Sequence, residues 1–527
     1  MTVERRPGSR DAFGSRAWLA PRSTAELEKV IYACGLANLL AFGLLVPVSY
    51  GIAAVSPFGL RQPEETAAFH RLVDQVALPD TAATVLKSWL AGDSVFAHRA
   101  VSAVVCGLPL LVSTAAFLVV AVTLSRCRAL LDEKIVSLLF RMAVAFALVN
   151  VFAYPMFTQD FWFYVAWGRM VAQGQNPYYS QLTADALAGL PIQYFSFHMM
   201  YGPLWALLSG TLAALSGRNV ILEFIAYKLV LALFWILSLA VVRRMLPAAS
   251  PAQRALAVCL FGWLPISFHA SVAEGHNDIV MIFFLLLWMY LVARCHPLSP
   301  VALAASALIK YVTLPLFAVA VTHVWVTKAL PRRQYLAPLL LSVVFAAAVF
   351  APFWRGSGFF SGLSFTRGGV FLTPAHAISS VANGLHLRIS EAAASNGVIV
   401  AFGGIVLFYA FRYFHDATFA RFSELTLAIL CAVLFAGTNH MWPWYIIWVL
   451  APAAVAPQSA LLRFVTPVAI LGPFLNLYWL LAPGWGMLPY ASVAFFALAT
   501  GAMLLFPREG LVTPEPPVQL GTSAAGA

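Results

Sequence analysis

Charge is what this chain has least of. Only 10% of its 527 residues are charged, with 21 acids against 32 bases, while 61% are hydrophobic and 14% aromatic. A soluble domain carries roughly 25% charged residues, so this balance excludes an ordinary soluble fold and indicates a polytopic helical membrane protein. Cysteine is also scarce. The six present, Cys34, Cys106, Cys127, Cys259, Cys295 and Cys431, lie in or beside apolar runs with no CxxC or Cys/His spacing. That pattern indicates neither a zinc site nor a disulfide framework, and they read as packing residues. A formal net charge of +11 suggests a polyanionic partner. The Lys and Arg residues, however, fall in short clusters between apolar runs, as cytoplasmic loops do, so no nucleic acid is expected. No internal repeat of the inverted-repeat transporter kind is evident.

Residues 1–29 are basic and too polar for a signal-peptide core, and read as a cytoplasmic tail. Apolar runs long enough to cross roughly 30 Å of hydrocarbon follow at 30–54, 101–125 and 136–155. After a polar interruption they resume at 200–217, 220–242, 253–272, 279–295, 299–326, 336–353, 397–414, 421–438, 441–457, 461–481 and 488–506. The expectation is an all-α protein of about 12–14 transmembrane helices. Residues 507–527, rich in Pro, Gly and Ala, read as a disordered tail. Arg126, Arg128, Lys134 and Arg141 place one end of the third run inside, which puts Asp160 outside. Counting back from Arg508 through Arg463, Arg421, Arg412, Arg333, Arg332 and Lys328 places His276, Lys310, the loop 354–396 and His440 outside too. That count needs the run 299–326 to break near Lys310–Pro315. Arg243 and Arg244 then leave 200–217 with the wrong parity unless it is re-entrant or the pair breaks the rule. The loop 56–100, with Glu64, Glu65, Asp74, Asp80 and Asp93, reads as an outer loop with solvated acids.

Four polar clusters thus share the outer face: Asp160 with Arg169 and the NPYY turn, EGHND at 274–278, Lys310, and NHMWPWY at 439–445. One carboxylate, several cationic groups and many aromatics at a membrane interface suit sugar transfer from a lipid phosphate. The acid takes the acceptor proton, the cations hold the departing phosphate, and aromatic faces stack on pyranose rings. Tyr164 and Trp167 lie on the helical face of Asp160, at four and seven residues on, whereas Arg169 points away and is no partner for it.

The string DFWFYVAWGRMVAQGQNPYY, with YGPLW at 201–205, GHND at 275–278, LIKY at 308–311 and NHMWPWYIIW at 439–448, resembles the polyprenol-phosphate-mannose-dependent mannosyltransferases of the GT-C class. Family 87 and the actinobacterial mannan-elongating enzymes are among them. The resemblance covers roughly residues 136–506, read as the catalytic module, with outer-face interfacial helices; residues 30–135 add two helices and an outer loop before it. It implies Asp160 as the general base, an inverting displacement from a polyprenyl-phosphate sugar to a glycan or glycolipid acceptor, and an α-linked product from a β-linked donor. It also implies an active site on the outer, periplasmic face of the cytoplasmic membrane. Tyr164, Tyr178, Tyr201, His276, Asn277, Asp278, Lys310, His440 and Trp444 are the expected substrate-binding residues, with His276, Lys310 and His440 on the phosphate. With a single acid and a monophosphate leaving group, neither a metal nor a cofactor is expected. The chain departs from the pattern in its two leading spans and in lacking the paired acids of some GT-C members.

Plainer readings stand beside these. Asp160 would serve as N-cap of a helix 161–173, and Asn277 and Asp278 as caps of the next one. Lys310, with no acid nearby in sequence, would snorkel or pair with a lipid phosphate. The Trp and Tyr residues of 442–445 would form an interfacial belt. Two rival functions remain: a lipid-linked-glycan transporter or flippase, and an O-antigen ligase or polymerase using Arg355, Arg367 and Arg388.

Overall fold

The computed structural model describes residues 21–55, 95–192, 198–245, 250–327, 331, 333–367, 371–481 and 488–505. The first twenty residues of the basic tail, the loop acids Glu64, Glu65, Asp74, Asp80 and Asp93, the loop bases Lys328, Arg332 and Arg508, and the tail 507–527 lie outside the described residues.

The chain is an all-α polytopic membrane protein. Among the described residues its main helices are α1 (Thr24–Val55), α2 (Val95–Arg126), α3 (Glu133–Asn150), α4 (Asp160–Ala172), α5 (Pro203–Ser216), α6 (Val220–Met245), α7 (Pro251–Trp263), α8 (Pro265–Phe268), α9 (Asp278–Ala293), α10 (Ser299–Ile309), α11 (Leu316–Thr327), α12 (Arg333–Phe350), α13 (Pro374–Gly384), α14 (Glu391–His415), α15 (Phe419–Phe435), α16 (Ile447–Ala454), α17 (Leu462–Leu481) and α18 (Leu488–Leu505), with a single turn at Ala184–Leu187 between α4 and α5. Among the described residues, five helices are long and apolar enough to cross a membrane: Thr24–Tyr50, Ala103–Arg126, Val220–Met245, Arg333–Phe350 and Glu391–His415. The pair Pro251–Trp263 and Pro265–Ala273, bent by 55°, makes a sixth. The other apolar runs fold as shorter helices, interrupted where Pro265, Pro315 and Pro443 forbid continuous helical hydrogen bonding.

Local chemistry sets the ends. Asp132 accepts from the backbone N–H groups of Lys134 and Ile135 to start α3. Ser250 and Gln253 form a reciprocal capping box at α7, with Pro251 at the first helical position. Leu36, Leu40 and Leu44 on α1, Leu336, Leu340 and Val344 on α12, and Leu407, Phe411 and Phe414 on α14 point outward. Apolar stripes of this length in water would cost about 25 cal/mol per Å², so lipid is their solvent.

The molecule has two chemically distinct ends. Glu133 at the start of α3 pairs with Arg254 at the start of α7 and stands 3.9 Å from Arg243 at the end of α6. The 18 residues of α3 run away from this basic end for about 27 Å at 1.5 Å per residue, and Asp160 follows at the far end. Between them, α5 has only 14 residues, short of the roughly 20 a full crossing takes.

Candidate active site

Three segments meet at the end opposite the basic cluster. The first runs from α3 into α4. Helix α4 begins at Asp160 itself: the N–H groups of Trp162 and Phe163 both go to the Gln159 carbonyl, and the Asp160 N–H goes to Thr158 Oγ1 at 3.0 Å. The Asp160 carboxylate is therefore not the helix cap. Its Oδ2 accepts instead from the Tyr201 hydroxyl at 3.1 Å. Helix α4 is buried from Phe161 to Met170 and lies close against α5. At Gly168 a Cβ would fall 2.6 Å from the Ser209 carbonyl oxygen and within 2.3 Å of the Tyr227 hydroxyl, so only glycine permits this approach. As the helical spacing predicts, Arg169 points away from Asp160. It meets Glu223 through two hydrogen bonds of 2.9 and 2.6 Å, and its remaining N–H groups reach the carbonyls of Ala186 and Ala188.

The second segment, 269–278, is a π-helical turn over His269–Ala273 that leads into EGHND. Gly275 turns the chain with φ +77°, and a Cβ there would meet the Phe161 ring at 2.5 Å. His276 is thereby delivered with its Nδ1 3.6 Å from Asp160 Oδ2 and its ring stacked on Trp444 at 4.0 Å. Neither imidazole nitrogen has a hydrogen-bond partner. The capping alternative fails here as well, since Asn277 makes no side-chain bond to the helix that follows it. Its Oδ1 faces the Tyr164 hydroxyl at 3.3 Å, and its Nδ2 is buried without a partner.

The third segment corrects an expectation. Lys310 does have an acid beside it: its Nζ lies 2.7 Å from Asp278 Oδ1, which also accepts from Trp448 Nε1. The two residues of the ion pair are 32 positions apart, so sequence proximity could not reveal it. Lys310 adopts extended backbone (φ −149°, ψ 127°) between α10 and the next helical turn, and its ammonium lies over the rings of Tyr445 at 4.5 Å and Trp448 at 4.9 Å.

The remaining candidates are support or periphery. Tyr178 does not bond to Asp160. Its hydroxyl donates to the Tyr201 carbonyl at 2.8 Å, and its ring stacks on Phe359 at 3.9 Å, which fixes Tyr201 from behind. Asn176 makes the predicted turn, its Oδ1 accepting from Tyr178 N and its Nδ2 donating to the Phe353 carbonyl. Trp444 is buried on His276 rather than lying in a surface belt. His440 stacks on Phe371 at 5.1 Å and meets the edge of Trp442, whose ring stacks on Trp444 at 5.0 Å. The stretch 354–396, expected as a loop, instead carries helical turns over Ser357–Arg367, α13 and the start of α14; its Arg355 and Arg388 are exposed, and the side chain of Arg367 lies outside the described residues.

The two carboxylates differ in a way that decides their chemistry. The Asp160 side chain is 29% exposed, whereas Asp278 is 0% exposed and already neutralised by Lys310. Burial alone pushes the Asp160 carboxyl up, but His276, Lys310 and the Tyr201 hydroxyl outweigh it and hold the group below the ordinary carboxylate value. Burial pushes the His276 imidazole down against the pull of Asp160, so at neutral pH it is uncharged, with one N–H and one lone pair to offer. Burial raises the Tyr201 phenol well above its usual value and keeps it a donor. Among the described residues no group of three or more His, Cys, Asp or Glu stands together as a metal site.

Trp448 is the site residue that sequence reasoning assigned to no role, and Tyr445, expected in the interfacial belt, lies under the Lys310 ammonium instead. The signal for Trp448 was there: Trp444 and Trp448 are one helical turn apart and face the same side. Residues 73–327 match the MptA_B family, described as alpha-(1->6)-mannopyranosyltransferase, N-terminal domain. The matched stretch takes in α2 and every site residue from Asp160 to Lys310, while His440 and Trp444 lie beyond it. No curated protein and no solved structure matches the chain. Over residues 73–327 the chain is therefore a relative of the mannan-elongating mannosyltransferases, the group its motifs resemble.

Proposed function

We propose that this protein is a GT-C-type mannosyltransferase that takes mannose from a polyprenyl-phosphate donor, on the outer face of the cytoplasmic membrane, and passes it with inversion to a glycan or glycolipid of the cell envelope. The observation that carries the reading is the accessible Asp160 carboxylate, held by Tyr201 and faced by His276, beside Lys310, whose partly exposed ammonium pairs with the buried Asp278. Asp160 takes the proton of the acceptor hydroxyl as that oxygen attacks the anomeric carbon. The bond from that carbon to the phosphate oxygen breaks on the opposite face, through an oxocarbenium-like transition state. The leaving polyprenyl phosphate collects its negative charge against the Lys310 ammonium and a His276 N–H. Trp444, Tyr164 and Tyr201 supply the apolar and hydroxyl surface that orients the sugar.

The test is transfer by the purified protein in lipid. Polyprenyl-phosphate β-mannose is expected to label a mannan-oligosaccharide acceptor with an α-linkage by NMR, and GDP-mannose is expected to give no product. Transfer from the nucleotide sugar alone, or retention of the β configuration, would sink the reading.

The electrostatics add a pH expectation. The reaction needs Asp160 ionised, so the wild-type rate should fall only as pH drops below the ordinary carboxylate value of about 3.9. His276→Ala removes the largest of the effects that hold that carboxyl down, so its pKa rises and the acidic limb of kcat/KM moves to higher pH. A limb that stays in place in this variant would show that His276 has no hold on Asp160.

A further inference from the structure

Beneath the site lie two ionisable groups that no step above uses. Glu274 and Lys228 are both buried, and neither reaches Asp160. The Glu274 carboxylate accepts from two consecutive backbone N–H groups, Met156 at 3.3 Å and Phe157 at 2.9 Å. These precede Asp160 by four and three residues, and Glu274 itself precedes His276 by two. Its carboxylate thus closes a small ring: Glu274 to His276 along one segment, His276 to Asp160 across the 3.6 Å gap, and Asp160 back to Phe157 along the other. Lys228, on α6, fastens the same ring to the scaffold. Its ammonium donates to the carbonyls of Val272, at 2.6 Å, and Ala273, the two residues before Glu274, and it lies between the Phe161 and Phe224 rings at 5.5 Å from each. His269 stands 3.8 Å from the carboxylate on the inner side.

The cost of this arrangement argues for a task. Burying a carboxylate and an ammonium is expensive even when they are partnered, and an apolar pair of similar volume would pack the same space with less penalty. What an apolar pair lacks is direction. A carboxylate with two N–H donors fixes the course of the 156–160 segment, and the ammonium on successive carbonyls does the same for 272–274.

We propose that Glu274 is a positioning residue for the transfer reaction, holding Asp160 and His276 at their working separation, with Lys228 as its anchor on α6. The proposal rests on the reading of Asp160 as the base. Since Glu274 does not touch the substrate, its loss should lower the rate and leave binding alone.

The test compares Glu274→Gln, which keeps one acceptor oxygen on a stem of the same length, with Glu274→Ala, which keeps none. Both are purified in lipid beside wild type and Asp160→Asn. We expect kcat to fall by about 10- to 100-fold in Glu274→Ala, the scale of a misplacement near 1 Å. Glu274→Gln should recover part of that loss, and KM for polyprenyl-phosphate mannose and for the acceptor should stay within about twofold in both. Wild-type kcat in both Glu274 variants overturns the proposal, as does a rise in KM with kcat intact. It also fails if Glu274→Ala does not fold while Glu274→Gln keeps wild-type kcat, since the role is then structural. The control separates two failures. If Asp160→Asn loses transfer and both Glu274 variants keep kcat, only the positioning role falls; if Asp160→Asn keeps wild-type kcat, the base assignment falls and the positioning role with it.

Discussion

Asp160→Asn is expected to lower mannose transfer by roughly 10³- to 10⁴-fold, the upper part of the range that general-base catalysis supplies. Asparagine has the size of aspartate and can still accept the Tyr201 hydrogen bond through its carbonyl oxygen, so the helix start at residue 160 survives. What it cannot do is take a proton from an attacking hydroxyl. The variant should therefore be recovered from the membrane in wild-type yield, melt within a few degrees of wild type in detergent, and bind the donor with unchanged affinity while turning it over very slowly. Single-turnover transfer from labelled polyprenyl-phosphate mannose reads this directly. Near-normal transfer by a folded variant would remove Asp160 from the mechanism and with it the main support for the reaction class. Asp278→Asn is no substitute for this experiment, because it breaks a buried ion pair and would confound folding with catalysis.

Arg169→Met carries the second large effect, and it falls on stability. The guanidinium is buried against an equally buried Glu223 and also supplies hydrogen bonds to the carbonyls of Ala186 and Ala188. Removing it leaves a carboxylate with no counter-charge and two carbonyls with no donor. Breaking a buried pair from one side costs about 3–5 kcal/mol. The expected result is poor recovery and a clearly lowered midpoint of thermal unfolding in detergent. The double variant Arg169→Met with Glu223→Leu should regain part of the loss, since an apolar replacement of the whole pair leaves no stranded charge. If the single variant melts with wild type, the pair does not hold α4 to α6.

The helices were legible because hydropathy writes them plainly: nearly every apolar run returned as a helix or a helix pair, and the run 299–326 breaks near Lys310–Pro315 as the charge count required. Local geometry also served for Arg169, whose direction follows from nine residues of helix. Partner choice was not legible. Lys310 finds Asp278 and Trp448 finds Asp278 across 32 and 170 residues, and periodicity along one helix carries no information about which neighbour it will face. The two buried charges Lys228 and Glu223 were absorbed into the apolar run 220–242, because a hydropathy window averages single charges away. The cap readings of Asp160 and Asn277 failed because helix starts here satisfy their N–H groups through backbone carbonyls, which leaves the side chains to Tyr201 and Tyr164.

The hydroxyl chain beside Asp160 has one more consequence in the proposed reaction. From Asp160 it passes to Tyr201, then Tyr164, and ends on the carbonyl oxygen of Asn277. An amide at that point accepts hydrogen bonds but takes up no proton, so the chain is a dead end for proton conduction. Along these hydroxyls, then, the proton captured in the proposed reaction goes no further than Asn277, and the exposed edge of Asp160 faces outward as its way off the site.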